Sequence, residues 1–165
     1  MTLSRRAVGV GLVVMACAAA GGLALYWTKA EVPPEERIVR AAVTMAREAE
    51  RRDVGAVMAP VSERFRSAEG WSRDELRGVV LGHLMRGQWV RAFPVDLKAE
   101  LVGPDAAEFS GTFVFGRSPT ATLADLARSS EMSAYRIEAR FEREADGEWR
   151  AVSASHQPLN PGDLL

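Results

Sequence analysis

Residues Met132 to His156 read MSAYRIEARFEREADGEWRAVSASH, and their pattern decides the fold. Tyr135, Ile137, Ala139 and Phe141 alternate with Arg136, Glu138, Arg140 and Glu142, the period of two that marks a strand with one face buried. Asp146-Gly147 follows, where Asp tolerates turn geometry and Gly reaches positive φ without a Cβ clash, so the segment predicts a long antiparallel hairpin. Its register carries a functional consequence. A two-residue turn sets Ile137 opposite His156 and brings the imidazole inside, near Tyr135. A three-residue turn at Ala145-Asp146-Gly147, with Gly147 in a bulge, sets Phe141 opposite Ala151 and Ile137 opposite Ser155, and turns His156 outward. The bulged, outward register is favoured, because burying Trp149 removes more apolar area from water than burying one valine.

Upstream, two more runs alternate in the same way. Val95, Leu97, Ala99 and Leu101 point one way and Asp96, Lys98 and Glu100 the other; Gly103-Pro104-Asp105 turns the chain; Phe109, Gly111, Phe113 and Phe115 continue the apolar face. Trp89 to Phe93 adds a short leading strand, and Pro94, which cannot donate to a ladder, keeps it at a sheet edge. Arg117 to Ser130 reads as a polar connection with a helical turn within Ala121 to Arg128, and Pro158 to Leu165 as a loose tail.

Three helices precede the strands. Pro33-Pro34 suits a helix start, and Ile38, Ala42, Met45 and Ala49 form one apolar stripe. Asp53 caps a short second helix that runs to Met58 and stops at Pro60. A loop at Ser67 to Gly70 leads to Ser72 and Glu75, a capping box that opens a third helix with the stripe Leu76, Val79, Val80, His83 and Leu84. Gly87 ends it. Helices first and strands last predict an α+β domain with segregated layers.

Ahead of all this, Ala7 to Trp27 carries no charge over 21 residues, enough to cross a hydrocarbon core of about 30 Å. Arg5-Arg6 on its left and Tyr26-Trp27 at its right edge predict a signal-anchor helix with the N-terminus in the cytoplasm and the rest outside. A cleaved signal ending near Ala18-Ala19-Ala20, or lipidation at Cys17, shares that topology. The expected organisation is therefore residues 1–29 as a short cytoplasmic N-terminus and transmembrane anchor, 30–34 as a linker, 35–157 as the folded domain and 158–165 as the tail. The expected address is a bacterial inner membrane, single-pass, with a periplasmic C-terminal domain.

Composition narrows the chemistry. Of 21 basic residues, 18 lie beyond Lys29 among 22 acidic ones. Arg and Glu are interleaved with no basic stripe, which argues against nucleic acid. Cys17, the single cysteine, lies in the apolar span, so the domain has neither a disulfide nor a thiolate of its own. No Gly-rich phosphate loop, HExxH or paired CxxC occurs, and two distant histidines do not make a closed zinc site. No cofactor and no metal are expected.

In its order of elements, Glu35 to His156 resembles the nuclear transport factor 2-like superfamily, whose members include SnoaL-like cyclases and ketosteroid isomerase. The likeness rests on Glu50-Arg51-Arg52-Asp53, on Val61-Ser62-Glu63-Arg64-Phe65 and on Asp146-Gly147-Glu148-Trp149-Arg150. It implies a cone in which the three helices pack on a curved antiparallel sheet. It also implies a homodimer through the sheet's outer face, where Arg136, Glu138, Arg140 and Glu142 alternate in sign. In the isomerases of this fold an acidic base lies inside the cone. Here the inward alternation holds no carboxylate, since Asp96, Glu100, Glu108, Glu138 and Glu142 fall on the outward face, and no catalytic residue is assigned. The sequence thus predicts a membrane-tethered, non-catalytic domain that binds an envelope protein partner. Its alternative is a cone that holds a small apolar ligand or a degenerate isomerase-like activity, with His83, Tyr135 and His156 as pocket candidates.

Overall fold

The computed structural model describes residues 32–87, 90–119, 122–127 and 132–160. The expected membrane span, Cys17, the start of the linker, Trp89 and the end of the tail lie outside these residues. No helix among the described residues is long and apolar enough to cross a membrane.

Helix α1 (Pro34–Glu50) begins on Pro33-Pro34, carries Glu35 and Glu36 in its first turn and Arg47 in its last, and buries Ile38, Ala42, Ala46 and Ala49. Acids at the N-terminus and a base at the C-terminus complement the helix dipole. The three small alanines on the buried stripe leave space beneath the helix that larger residues would fill. Arg52 adopts a left-handed φ of 60°, and Asp53 then caps α2 (Val54–Met58) by accepting from the Ala56 N–H at 2.9 Å. The capping box of Ser72 and Glu75 opens α3 (Arg73–Met85) as the spacing predicts, and Gly87 at φ 63° follows its end.

The strands are β1 (Val61–Ser67), β2 (Arg91–Gly103), β3 (Ala106–Gly116), β4 (Met132–Arg143) and β5 (Trp149–Leu159), with a short helix α4 (Leu123–Ala127) between β3 and β4. They form one sheet in the order β1-β5-β4-β3-β2. Pro94 falls inside β2, which takes in Arg91 to Phe93 of the expected leading segment and is an edge strand, where a missing N–H is tolerated.

Two expectations are corrected. The sheet is mixed, because β1 pairs in parallel with β5 through Val61 and Ala151, Arg66 and Ser153, and Ser67 and Ala154. Val61 to Ser67 alternates too poorly to announce a strand: its burial runs buried, buried, exposed, exposed, buried, as an irregular edge does. The inward face of β2 is also interrupted. Between Val95, opposite Thr112, and Lys98, opposite Ser110, the register slips where Asp96 takes φ 52°. Leu97 and Ala99 consequently pack on the main core, whereas Val95 joins Phe93, Val114, Ala134, Met132 and Leu159 in a second cluster. Leu101 is 42% exposed and contributes to neither.

The main core brings α1 and α2 against Phe65, Phe109, Phe113, Phe115, Phe141 and Trp149. Glu50 ties the end of α1 to the start of β2, its carboxylate accepting from the Ala92 N–H at 2.9 Å and from Arg91 Nε at 3.1 Å.

Candidate functional site

The hairpin of β4 and β5 uses both registers weighed above, one after the other. Near the turn, Glu144 O accepts from the Gly147 N–H at 2.8 Å and Glu144 N–H donates to Glu148 O at 2.9 Å, with Gly147 at φ 82°. This is the three-residue, bulged turn. It pairs Phe141 with Ala151 and buries Trp149 and Ala151. A second irregularity follows at once: Arg140 pairs with Ser153, so Val152 is an extra residue on β5. The slip restores the other alternation, and Ile137 lies opposite His156. The outward His156 expected from a single bulge is thereby corrected, since two bulges cancel.

His156 now borders a cavity of about 280 Å³ between the helices and the sheet. Its lining is almost wholly apolar: Ala42, Ala46 and Ala49 of α1, Phe113 and Phe115 of β3, and Ile137 and Ala139 of β4 are representative. Among the described residues no carboxylate lines it. The three pocket candidates all border this one space, His83 from α3, Tyr135 from β4 and His156 from β5.

Rings converge on His156. Trp71 stacks on it with centroids 6.1 Å apart and planes 24° apart, and Tyr135 meets it edge-on at 5.9 Å. Tyr135 in turn contacts Phe115 at 6.2 Å. The imidazole is therefore gripped by aromatic neighbours while its side chain keeps 41% exposure, which sets it where the cavity meets solvent.

The loop between β1 and α3 supplies the remaining group. His156 Nδ1 lies 3.2 Å from Glu69 Oε1. The loop is pinned at several points: Ser67 Oγ accepts from the N–H groups of Glu69 and Trp71 at 3.2 and 3.1 Å, and Ala68 N–H donates to Ala154 O of β5 at 2.9 Å. Gly70 turns the chain at φ 89°. The Ser67 hydroxyl, then Glu69's own backbone N–H and the nearby His156, hold the Glu69 carboxyl below the usual carboxylate range against a small opposing effect of burial. Neither Glu69 nor Trp71 stands out as a site residue in the sequence. Trp71 reads as packing and Glu69 as one polar residue of a loop, and only the parallel pairing of β1 with β5 carries them to His156.

No family model and no curated protein matches this chain. Solved structures do. An NTF2-like protein of unknown function from Pseudomonas putida KT2440 aligns with TM-score 0.60 at 14% identity, over 74% of this chain and 84% of its own. A ketosteroid isomerase-like protein from Erwinia carotovora atroseptica SCRI1043 aligns with TM-score 0.54 at 16% identity, over 74% and 93%. The hexachlorocyclohexane dehydrochlorinase LinA-type3 from Novosphingobium barchaimii LL02 aligns with TM-score 0.53 at 13% identity, over 73% and 82%. The domain has the nuclear transport factor 2-like cone fold, and at these identities the likeness carries the fold alone.

Proposed function

We propose that this domain is a binding module that takes one small, largely apolar molecule into its cone. The observation that carries the reading is the open cavity. A cone lined by Phe113, Phe115 and Phe141 can be closed by its own side chains, yet alanines at 42, 46, 49, 139, 151 and 154 leave about 280 Å³ between them. A dry cavity of about 150 Å³ accepts benzene, so this one suits two fused rings or a short branched hydrocarbon. An almost apolar lining with a few polar groups at one place is the usual character of such sites. The ligand's polar end then meets His156 and Tyr135.

On this reading Ala7 to Trp27 tethers the module to a bacterial inner membrane, with the cone on the periplasmic side, where it meets molecules that partition from the bilayer. A C-terminal reporter active only outside the cytoplasm checks the address; activity of a cytoplasm-only reporter at that position overturns it. A homodimer through the outer sheet face has Arg136 and Glu138 to work with, because Arg140 is already paired with Glu108 at 3.0 Å and Glu142 at 3.4 Å.

The binding itself is tested by titrating the detergent-solubilised full chain with naphthalene, in isothermal titration calorimetry. Saturable binding of one molecule per chain is expected. Partition without saturation overturns the reading.

A further inference from the structure

We propose that the outer face of α3 is a self-association surface, on which a second copy of this chain packs its own α3 antiparallel.

The helix is apolar on two sides, where a helix that covers a core needs only one. Leu76, Val79 and His83 border the cavity, and Val80 and Leu84 are buried. On the opposite side Asp74, Gly78, Leu81 and Met85 recur at i, i+4, i+7 and i+11, which sets them in one stripe, and all four are exposed. Leu81 keeps 46% and Met85 74% of its surface in water. Beside these two side chains the surface is hollow. A Cβ at Gly78 would meet nothing within 4 Å, and one at Gly82 would first meet the Arg86 guanidinium, at 3.4 to 3.7 Å. Glycine is disfavoured inside a helix, and an alanine would fit this chain at either position. Knobs at Leu81 and Met85 beside holes at Gly78 and Gly82 make a face that fits a copy of itself, as a two-fold interface requires.

Charge sets the direction. Asp74 and Glu75 occupy the first turn and Arg86 the C-cap. Glu75 is engaged in the capping box, where it accepts from the Ser72 N–H at 2.7 Å, which leaves Asp74 for a neighbour. A parallel pair would set Asp74 beside Asp74 and Arg86 beside Arg86. An antiparallel pair sets each Asp74 by the Arg86 of the second copy, twice by symmetry, and opposes the helix dipoles. The two-fold axis then passes midway between these residues, near Val80, so that Gly78 faces Gly82 of the second copy and Leu81 lies beside the axis. This surface is separate from the outer sheet face of Arg136 and Glu138.

The test cross-links the detergent-solubilised full chain with bismaleimidoethane, after Cys17→Ser removes the native thiol. Leu81→Cys in that background is expected to give a covalent dimer. Adding Asp74→Arg or Arg86→Glu alone is expected to lower the dimer yield about tenfold, as loss of two symmetric ion pairs does, and adding both to restore it. Restoration separates pairing across the copies from any effect of Asp74→Arg on its own helix. A yield insensitive to these charges, as association through the N-terminal apolar segment would give, overturns the proposal. Cross-linking by Arg136→Cys but not by Leu81→Cys overturns it in favour of the sheet face. A Leu81→Cys thiol that links no second chain and is shielded from maleimide only in lipid vesicles overturns it in favour of the bilayer.

Discussion

At His156 a single residue's surroundings decide between a surface side chain and a site. Its stack on Trp71 and its contact with Tyr135 are each of a kind that contributes about 0.5–1.5 kcal/mol when well packed, and its partly exposed pair with Glu69 adds at most about 1 kcal/mol. His156→Ala is accordingly expected to cost about 1–2 kcal/mol in urea unfolding, where an outward histidine would cost under about 0.5 kcal/mol. His156 and the two faces it can take are legible in the sequence, but the outward face expected from a single bulge is not the one adopted. Gly147 announces one bulge through its positive φ, and nothing announces the second, since Val152 is an ordinary strand residue. Gly111 shows the opposite case, a residue whose role becomes visible only in the fold. A Cβ there would come 2.5 Å from Leu97 Cδ2 and 3.1 Å from Phe109 Cζ. Gly111→Ala is expected to destabilise by about 1–3 kcal/mol, as overpacking does, and the double variant with Leu97→Ala to recover part of that loss, both read by thermal unfolding.

Among the elements, the β4 to β5 turn has the strongest electrostatic signature. Arg150 bonds Asp146 at 3.0 and 2.7 Å and Glu144 at 2.6 Å, while Ser62 of β1 donates to Glu144 at 2.6 Å. The Arg150 hydrogen bonds, reinforced by the Glu148 N–H, lower the Asp146 carboxyl from its ordinary 3.8 to about 2. Glu144 is lowered as well, first by Ser62 and then by Arg150. Both folded-state values lie below the unfolded ones, so their contribution is fully present above about pH 5 and is lost as pH falls toward 2. The urea midpoint is expected to drop across that window, and Asp146→Asn to flatten part of the drop; a wild-type midpoint independent of pH there would count against the ion pair. The hairpin, the capping box and the Asp53 cap were legible because each rests on local chemistry. The strand β1 was not, because its pairing with β5 is parallel and spans most of the domain, and nothing local distinguishes such an edge from a loop.

For the molecule as a whole, the α+β order and the apolar face of the sheet were readable, whereas the open cone was not. Alanine on a helix stripe looks the same in sequence whether it permits close packing or leaves a void. That distinction separates a filled scaffold from a binding module, and filling the void on purpose isolates it. Ala139 lies on β4 with its methyl bordering the cavity. Ala139→Leu puts apolar volume into empty space, and filling a cavity stabilises by about 0.5–2 kcal/mol where overpacking a closed core costs about 1–3 kcal/mol. The decisive measurement is naphthalene binding by calorimetry, run alongside the thermal midpoint, for the wild-type chain and Ala139→Leu. The account predicts saturable binding by the wild type, and for the variant a midpoint equal or higher with binding lost; a variant that is destabilised, or that binds naphthalene as well as the wild type, would contradict it.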